Sequence, residues 1–512
     1  MISIGTRLEL FVDHFLIENL DGVRLALHHP QPAGVAFAFD KPWEGPHSYY
    51  STVIQDGDRY RFYYRGMPGE RKGFKGGLRD GTEEQFVCMA ESPDGIHWSK
   101  PNLGLYEAFG SRDNNIVYAY DRPFPTNFSP FIDTNPAARP EERYKAVAGL
   151  GENMLVFRKG QLPKERSGIF TFASPDGIHW KRTSEKCVFT DGSRCFDSQN
   201  VAFWSQLERC YLLYYRQHVD ERTNQTVRDD VHYYPYHVKT IARATSKDFV
   251  HWSEGQMMDL GEPPTRRDTH FYVSQTHPYF RAPHIYIATP KRLNEGHSAL
   301  TLEQVTPILQ ELEDHGLQGF DYLGTGEQRF HKDCSDVMLL TSRGGLKYDR
   351  TFRDAFIRPG IGLRHWGSRS NLAARGVVQT GPAEMSLYVH RHYGMWTHHL
   401  ERFTLRLDGF ASVNAPYDGG ELLTKPFQFG GKELVINYAT SGAGSVRVEV
   451  RDEDNGAIPG FTLDDCPEII GDEIERVVRW KNGSDVSKLA GQNVRLRFVM
   501  TDADLYSIRF RG

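Results

Sequence analysis

The sequence is poor in the features that mark several common classes of protein. Six cysteines are scattered over 512 residues with no close CxxC pair, which argues against a disulfide framework and against a cysteine zinc site. No stretch approaches the ~20 apolar residues of a membrane-spanning helix. A formal net charge of −5 creates no positive field for nucleic acid or for an anionic membrane. We therefore expect neither partner, and we expect no cofactor.

The first twenty residues, MISIGTRLELFVDHFLIENL, also lack the pattern of a secretory signal. Such a signal has a basic flank followed by an apolar core of about 7–15 residues, whereas these residues alternate apolar and polar side chains and carry early charges. We expect no signal peptide and a cytoplasmic location.

Aromatic residues, glycine and proline are abundant. Aromatic side chains make up 12% of the chain, beside 48 glycines and 27 prolines. Aromatic residues favour strands, and glycine and proline favour the turns between them. The composition predicts an all-β protein.

The heptapeptide SPDGIHW occurs twice, at residues 92–98 and 174–180, each time after a short strand-like run. Serine and aspartate side chains accept backbone N–H bonds in turns, and glycine tolerates positive φ. Looser copies begin at residues 246 and 342 and lose the glycine or the aspartate. This drift predicts a tolerant hairpin turn and not a reaction centre.

Each copy of the turn lies within a recurring unit of about four strand-like segments, which is typical of a β-propeller blade. We predict a five-bladed β-propeller over residues 1–415. Within it, residues 298–316 have apolar side chains at helical spacing and a Thr301–Gln304 capping box, which predict a surface helix at the rim. After APYDGG the repeat stops, and residues 416–512 predict a β-sandwich.

Side chains near the first strand of each blade face the central channel of a propeller, so we expect the active site there. Each aligned segment contains a carboxylate. Collected around one channel, such acids shift one another's pKa values, so that one can act as an acid and another as a base. The five candidates are Glu44, Asp133, Asp197, Asp268 and Glu384.

Aromatic and polar residues accompany these acids in the same segments. Sugar rings present apolar C–H faces that stack on aromatic side chains, and polar groups bind the hydroxyls. The predicted substrate-binding residues are Trp43, His47, Tyr49, Phe196, Gln199, Arg266, His270, Tyr272 and Trp366.

The SxDGxxW turns, the five units, the channel carboxylates and the trailing sandwich resemble five-bladed propeller glycoside hydrolases of the invertase/levanase-like and arabinanase/β-xylosidase-like families. The resemblance implies a glycosidase acting on a carbohydrate. By position it implies Glu44 as nucleophile or base, Asp133 as the stabilising aspartate and Asp197 as general acid. Asp268 and Glu384 are alternatives for the base. The sequence departs from these families in lacking WMNDPNG-like and RDP motifs, and Asp197 stands where they usually have glutamate.

Other functions stay open at this point. The mannoside phosphorylases are similar propeller enzymes that use an aspartate acid and basic residues for phosphate, a role that Arg266 and Arg267 could take. Sialidases require an arginine triad and a Tyr–Glu pair that the sequence does not locate. A non-catalytic carbohydrate-binding propeller is a third possibility. His390 and His392 have the alternate spacing of a metal-binding strand, but no third ligand is evident, and we predict no metal.

Overall fold

A computed structural model of the chain describes residues 1–68, 85–152, 163–192, 195–227, 236–265, 269–315, 332–367 and 369–512. Within these ranges the secondary structure is almost entirely β, with a single α-helix of 13 residues. No helix in the described ranges is long and apolar enough to cross a membrane. The predicted all-β class is confirmed.

The strands in the first half of the chain are β1 Ile2–Gly5, β2 Glu9–Leu10, β3 Ile17–Asp21, β4 Arg24–Leu27, β5 Gln31–Ala38, β6 Tyr49–Asp56, β7 Arg59–Gly66, β8 Phe86–Ser92, β9 Ile116–Tyr118, β10 Ser129–Ile132, β11 Tyr144–Leu150, β12 Gly168–Ser174, β13 Lys181–Arg182, β14 Val201–Ser205, β15 Cys210–Asp220, β16 Gln225–Thr226, β17 His237–Ser246 and β18 Gln256–Met257. Those in the second half are β19 His277–Tyr279, β20 Ala282–Ala288, β21 Lys291–Asn294, β22 Cys334–Val337, β23 Leu340–Ser342, β24 Leu372–Ala373, β25 Val378–Gln379, β26 Glu384–Arg391, β27 His399–Arg406, β28 Ala411–Ala415, β29 Gly420–Thr424, β30 Phe427–Phe429, β31 Glu433–Asp452, β32 Asp472–Val477 and β33 Val494–Arg511. The α-helix is α1 Leu302–Asp314, and short 3-10 helices cover Phe124–Thr126, Pro140–Glu142, Lys164–Arg166, Leu363–Trp366, Leu463–Asp465 and Ser487–Leu489.

The chain divides into two compact units. Unit 1 combines Met1–Pro30, Gly381–Met385 and Leu405–Gly512, and unit 2 combines Gln31–Thr380 and Ser386–Thr404. This division differs from the predicted boundary at residue 415. The reason is strand pairing, because β1, β3 and β4 pair with β30, β29 and β28 in the ten-stranded sheet of unit 1.

Unit 2 contains a series of small antiparallel sheets. Their strand orders are β6-β7-β8-β9, β10-β11-β12-β13, β14-β15-β17-β18, β19-β20-β23 and β24-β26-β27-β5. We call the first strand of each order (β6, β10, β14, β19 and β24) an inner strand. The last of these sheets is completed by β5, which precedes all the other strands of unit 2 in sequence and pairs with β27.

The SPDGIHW heptapeptide forms a tight turn after the third strand of its sheet. Ser92 Oγ accepts the N–H of Gly95 at 2.9 Å, and Asp94 Oδ1 accepts the N–H groups of Ile96 and His97, each at 2.8 Å. Gly95 has a φ of +73°, which glycine adopts without strain. The copies at residues 174–180 and 246–252 make the same serine and aspartate contacts.

These turns also join neighbouring sheets. Tyr388 in β26 donates its hydroxyl hydrogen to Gly95 O, and Tyr63 in β7 donates to Gly177 O at 2.9 Å. The heptapeptide is therefore repeated architecture, as predicted, and its side chains are engaged in backbone contacts.

A buried arginine ties the inner strands together. Arg375 follows β24 and donates to Pro130 O at 3.0 Å and to Ala202 O at 3.1 Å, on β10 and β14. Its backbone N–H donates to Ser51 O, and its carbonyl accepts the N–H of Val53, both on β6. Burial lowers the pKa of Arg375 to about 10, which leaves it charged at neutral pH. One side chain thus fixes several inner strands at once.

Buried amide side chains add to these ties. Gln199 Nε2 donates to Ser51 O at 3.1 Å and to Thr52 Oγ1 at 3.0 Å. Gln275 Nε2 donates to Gln199 Oε1 and to Ala373 O, each at 2.8 Å. We predicted that Gln199 binds substrate. Its side-chain amide instead forms hydrogen bonds to β6 and to Gln275.

We expect Arg375→Met to destabilise unit 2 strongly, because hydrogen bonds to a charged group contribute about 1.5–3 kcal/mol each and the substitution leaves two carbonyls without this donor. The melting temperature of Arg375→Met, measured by calorimetry, should be several degrees below that of the wild type. The melting temperature of Arg375→Lys should lie between the two. The control is Arg59→Met, at an exposed arginine of β7. An equal effect of the two methionine variants would contradict this role.

Candidate functional site

Acidic, aromatic and basic side chains meet where the inner strands begin. Tyr50 Oη lies 3.0 Å from Tyr272 Oη and 3.4 Å from the backbone oxygen of Asp197. Arg216 donates to Asp197 Oδ2 at 2.7 Å. Two further arginines lie against the tyrosine rings. We call these six residues the tyrosine–arginine cluster: Tyr50, Arg65, Asp197, Arg216, Tyr272 and Arg369.

Guanidinium groups cover both tyrosine rings of the cluster. The Arg65 guanidinium carbon is 4.9 Å from the centre of the Tyr50 ring. Those of Arg216 and Arg369 are 5.3 and 5.8 Å from the centre of the Tyr272 ring. All three distances are within reach of a cation–π attraction. Positive charge is therefore concentrated around two phenols.

Two of these arginines occupy the same place in a repeated strand. The pattern Y-x-x-Y-Y-R occupies residues 60–65 in β7 and residues 211–216 in β15, each the second strand of its sheet. In β7 the register sets Arg65 opposite Tyr49, at the start of the inner strand β6. This internal repeat is the sequence signal that could have located Arg65 and Arg216.

The phenol of Tyr272 has an unusual electrostatic environment. Burial acts to raise its pKa, but the charges of Arg369 and Arg216 and the hydrogen bond with Tyr50 outweigh burial and hold it below the ordinary value. Burial, together with Tyr272 and Asp197, raises the pKa of Tyr50 well above its ordinary value. These opposite shifts favour the proton on Tyr50 and the negative charge on Tyr272.

A second carboxylate lies in a neighbouring hydrogen-bonded group. Glu295 Oε1 is 2.9 Å from Lys239 Nζ and 3.2 Å from His270 Nε2. The backbone N–H of Lys239 donates to His270 Nδ1, which leaves the ring proton on Nε2, facing Glu295. Burial and the charge of Lys239 lower the pKa of His270 to about 4. Burial opposes ionisation of Glu295, but His270 and Lys239 outweigh it and hold its pKa far below the ordinary value.

Strand register brings this group beside the cluster. Lys239 in β17 pairs with His218 in β15, two residues from Arg216 on the same face of the sheet. The side chains of Asp197, Glu295 and Lys239 are 19%, 18% and 15% exposed, whereas that of Arg216 is 4% exposed. A solute can therefore reach these carboxylates, and Arg216, which binds Asp197, lies deeper in the fold.

The insert helix borders the cluster. Val305 and Leu312 of α1 belong to one apolar group with Tyr50 and Tyr272, and Trp366 packs against it. The capping box of Thr301 and Gln304 is present, as predicted. The helix thus forms a wall next to the tyrosines, while Leu302, its first residue, is exposed.

His47 and Tyr49, both predicted to bind substrate, support the cluster from behind. Arg65 donates to His47 O at 2.9 Å, and Tyr49 donates its hydroxyl hydrogen to Arg369 O at 2.7 Å. Burial, with the charges of Arg65 and Arg369, lowers the pKa of His47 to about 3. His47 is thus neutral, and both residues help position the arginines.

Asp133 lies at the other end of the inner strands. It follows β10, and its Oδ2 accepts hydrogen bonds from Lys145 Nζ and Tyr211 Oη, each at 2.7 Å. Tyr211 pairs with Trp204 near the end of β14, whereas Asp197 precedes β14. The structure therefore does not bring Asp133 and Asp197 together. The prediction treated the two acids as equivalent, although Asp133 follows its inner strand, β10, and Asp197 precedes its inner strand, β14.

Glu44 and Trp43 are buried in a separate network. Tyr64 donates to Glu44 Oε1, and Lys100 Nζ donates to Oε2 at 2.6 Å. Burial raises the pKa of Glu44, although Lys100 opposes it. The Trp43 indole donates to Asn115 Oδ1 at 2.8 Å. Glu44 is only 1% exposed. We predicted that Glu44 and Trp43 face a channel, but their observed contacts are with other buried residues.

The remaining predicted residues are placed differently again. Phe196 is fully buried and packs on Tyr215 in the core. Glu384 begins β26, the second strand of its sheet and not an inner strand, and it falls in the part of the chain that belongs to unit 1. Arg266, Arg267 and Asp268 lie outside the described residues.

The two histidines considered as metal ligands have different partners. His390 Nε2 is 2.8 Å from Ser51 Oγ, and its Nδ1 is 3.2 Å from His398 Nε2. His392 lies past the end of β26, and its Nδ1 is 2.9 Å from Thr397 Oγ1. Within the described ranges no three His, Cys, Asp or Glu residues are arranged to hold a metal ion.

Comparison with known proteins gives distant structural similarity. No protein-family model matches the chain, and no curated protein matches it. The chain is similar to a solved glycoside hydrolase with 11% identity and a TM-score of 0.43, over 74% of this chain and 92% of that one. It is also similar to a family 43 arabinoxylan arabinofuranohydrolase from Bacillus subtilis in complex with cellotetraose, with 12% identity and a TM-score of 0.38, over 92% and 96% of the two chains.

A third similar structure has another activity in its name. It is an N-acetylgalactosamine deacetylase from F. plautii in complex with blood group B trisaccharide, with 11% identity and a TM-score of 0.39, over 76% of this chain and 97% of that one. The predicted distant resemblance to glycoside hydrolases is confirmed to this extent.

Tyr272 should ionise at lower pH than an ordinary tyrosine, whose pKa is about 10. In a spectrophotometric titration, we expect the first phenolate signal of the wild type to be missing from Tyr272→Phe, because the nearby arginines favour its charged form. Tyr417→Phe, at a 72% exposed position, is the matched control and should remove an ordinary component. Superimposable titrations of the two variants would contradict the assignment.

Proposed function

We propose that this chain is an enzyme, a glycosidase that cleaves a glycosidic bond of a small oligosaccharide or glycoside at the tyrosine–arginine cluster. One observation carries the proposal. A tyrosine with a lowered pKa, Tyr272, and an accessible carboxylate, Asp197, are joined through Tyr50 and Arg216. Glycosidic cleavage needs a proton donor for the leaving oxygen and a base or nucleophile, and some glycosidases use tyrosine in the second role.

In this proposal Asp197 is the general acid, as the sequence predicted. Its protonated carboxyl group gives a proton to the leaving oxygen, and Arg216, at 2.7 Å, stabilises the carboxylate that remains. Tyr272 accepts a proton from the attacking water. Asp133 and Glu44 contact other residues outside the cluster and take no part.

Aromatic surface near the cluster supports a carbohydrate ligand. Trp366 is half-buried and packs beside Tyr50 and Tyr272, and Tyr393 belongs to the same group. Aromatic rings of this kind stack on the C–H faces of sugars. Neutral His270, bonded to Glu295, offers a further polar contact for a hydroxyl.

We also propose the finer architecture: a five-bladed propeller in unit 2 and a β-sandwich in unit 1. The inner strands support the propeller, because β6 contacts β10, β10 contacts β14 and β14 contacts β19. In addition, β25, which pairs with β26 of the last sheet, contacts β6. The pairing of β5 with β27 supports closure of the ring, since it completes the last sheet with the earliest strand. The long β31–β33 ladder, interrupted by bulges, supports two layers in unit 1.

Asp197→Asn should lower kcat by about 100-fold or more, because the amide cannot supply a proton. The loss should be greater for an alkyl glycoside than for a nitrophenyl glycoside, whose leaving group departs without protonation. Turnover of a panel of both types measures this difference. Asp58→Asn, at an exposed turn residue, is the control and should keep full activity.

Equal losses on both leaving groups would contradict the role of Asp197 as acid. The rival function is a non-catalytic carbohydrate-binding protein. It predicts calorimetric binding of an oligosaccharide by the wild type with no product at any enzyme concentration, and that result would overturn the proposed enzyme.

A further inference from the structure

The arginines of the tyrosine–arginine cluster come from three separate elements. Arg65 belongs to β7, Arg216 belongs to β15, and Arg369 precedes β24. The nearby carboxylates already have cationic partners, since Asp197 bonds Arg216 and Glu295 bonds Lys239. A chain with a net charge of −5 thus places three guanidinium groups around two tyrosines.

Buried hydrogen-bond donors remain unused in this cluster. Within the described residues, Nε and Nη1 of Arg216 and Nε of Arg65 are buried and have no hydrogen-bond partner. The Arg216 side chain is 4% exposed. Buried polar groups in folded proteins are nearly always bonded, so N–H groups left open beside an accessible carboxylate indicate a place for a ligand acceptor.

The arginines stay protonated more readily in this buried place than the neighbouring lysines do. Burial, and then the charge of Arg369, hold the pKa of Lys291 well below its ordinary value. Burial also lowers the pKa of Lys239, with Glu295 opposing. A guanidinium group stays charged in such surroundings and offers planar pairs of donors.

We infer that Arg65, Arg216 and Arg369 bind a carboxylate of the sugar, so that the substrate is an acidic glycoside of the uronic acid class. The planar fork of arginine matches a planar carboxylate. Arg216 already binds the carboxylate of Asp197 through Nη2, and its Nε and Nη1, on opposite sides of the guanidinium group, each lack an acceptor. The half-buried Trp366, which packs against the same apolar group as the two tyrosines, offers ring surface to a sugar that carries the anion, and a free ion would not use that surface.

The inference rests on the proposed function for cleavage, but its binding step can be tested alone. Calorimetry with the full chain compares sodium galacturonate and sodium glucuronate with galactose, glucose and inorganic phosphate. We expect a uronate to bind at least 10-fold more tightly than its neutral sugar, and more weakly as salt concentration rises.

Variants assign the effect to the arginines. Arg216→Met and Arg369→Gln should each weaken uronate binding at least 10-fold, and Arg216→Lys should keep part of it, because charge remains while the planar fork is lost. Arg369 is half-buried, so its variant tests the inference even where Arg216→Met fails to fold. Arg59→Gln, at the exposed start of β7, is the matched control and should bind like the wild type.

Two outcomes would overturn the inference. One is equal binding of uronates and neutral sugars by the wild type. The other is cleavage of a neutral glycoside that requires inorganic phosphate, which would make free phosphate the anion of the site. Uronate binding without cleavage of any glycoside would support this inference while contradicting the proposed function.

Discussion

A buried guanidinium group bonded to backbone carbonyls is the constraint on which unit 2 depends. Arginine presents five donors in one plane, so Arg375 can hold carbonyls of β10 and β14 while its own backbone pairs with β6. Apolar packing alone is not directional and would allow the strands to slide. The amides of Gln199 and Gln275 add further ties. The inner strands are thereby fixed relative to one another, and so are the residues that precede them.

This rigidity allows the tyrosine–arginine cluster to hold several positive charges close together. Burying several cations together is unfavourable unless the surrounding structure holds them in place. Here the second strands deliver Arg65 and Arg216 by register, and Tyr49 holds Arg369 through its backbone oxygen. The result is a preorganised positive field around Tyr272, with Asp197 reachable from solvent. A site of this kind can stabilise developing negative charge without rearrangement.

Sequence reasoning succeeded where the signal is local. The turn motif, the insert helix and the all-β class follow from side-chain chemistry and spacing, and the position of Asp197 and Tyr272 before inner strands follows from the same pattern. Sequence reasoning did not succeed where the direction of a strand decides which residues come close together. Asp133 follows β10 instead of preceding it, and a four-residue strand spans about 13 Å. The arginines of β7 and β15 were missed because arginine in a strand usually indicates an exposed face.

The most direct measurement is a crystal structure of the Tyr272→Phe variant with an aryl galacturonide. The account predicts a sugar ring beside Tyr50 and Trp366, the glycosidic oxygen facing Asp197, and the sugar carboxylate about 2.7–3.2 Å from Arg216 nitrogens. A ligand bound at Asp133 or at the heptapeptide turns, with the arginines left without contact to it, would contradict the account.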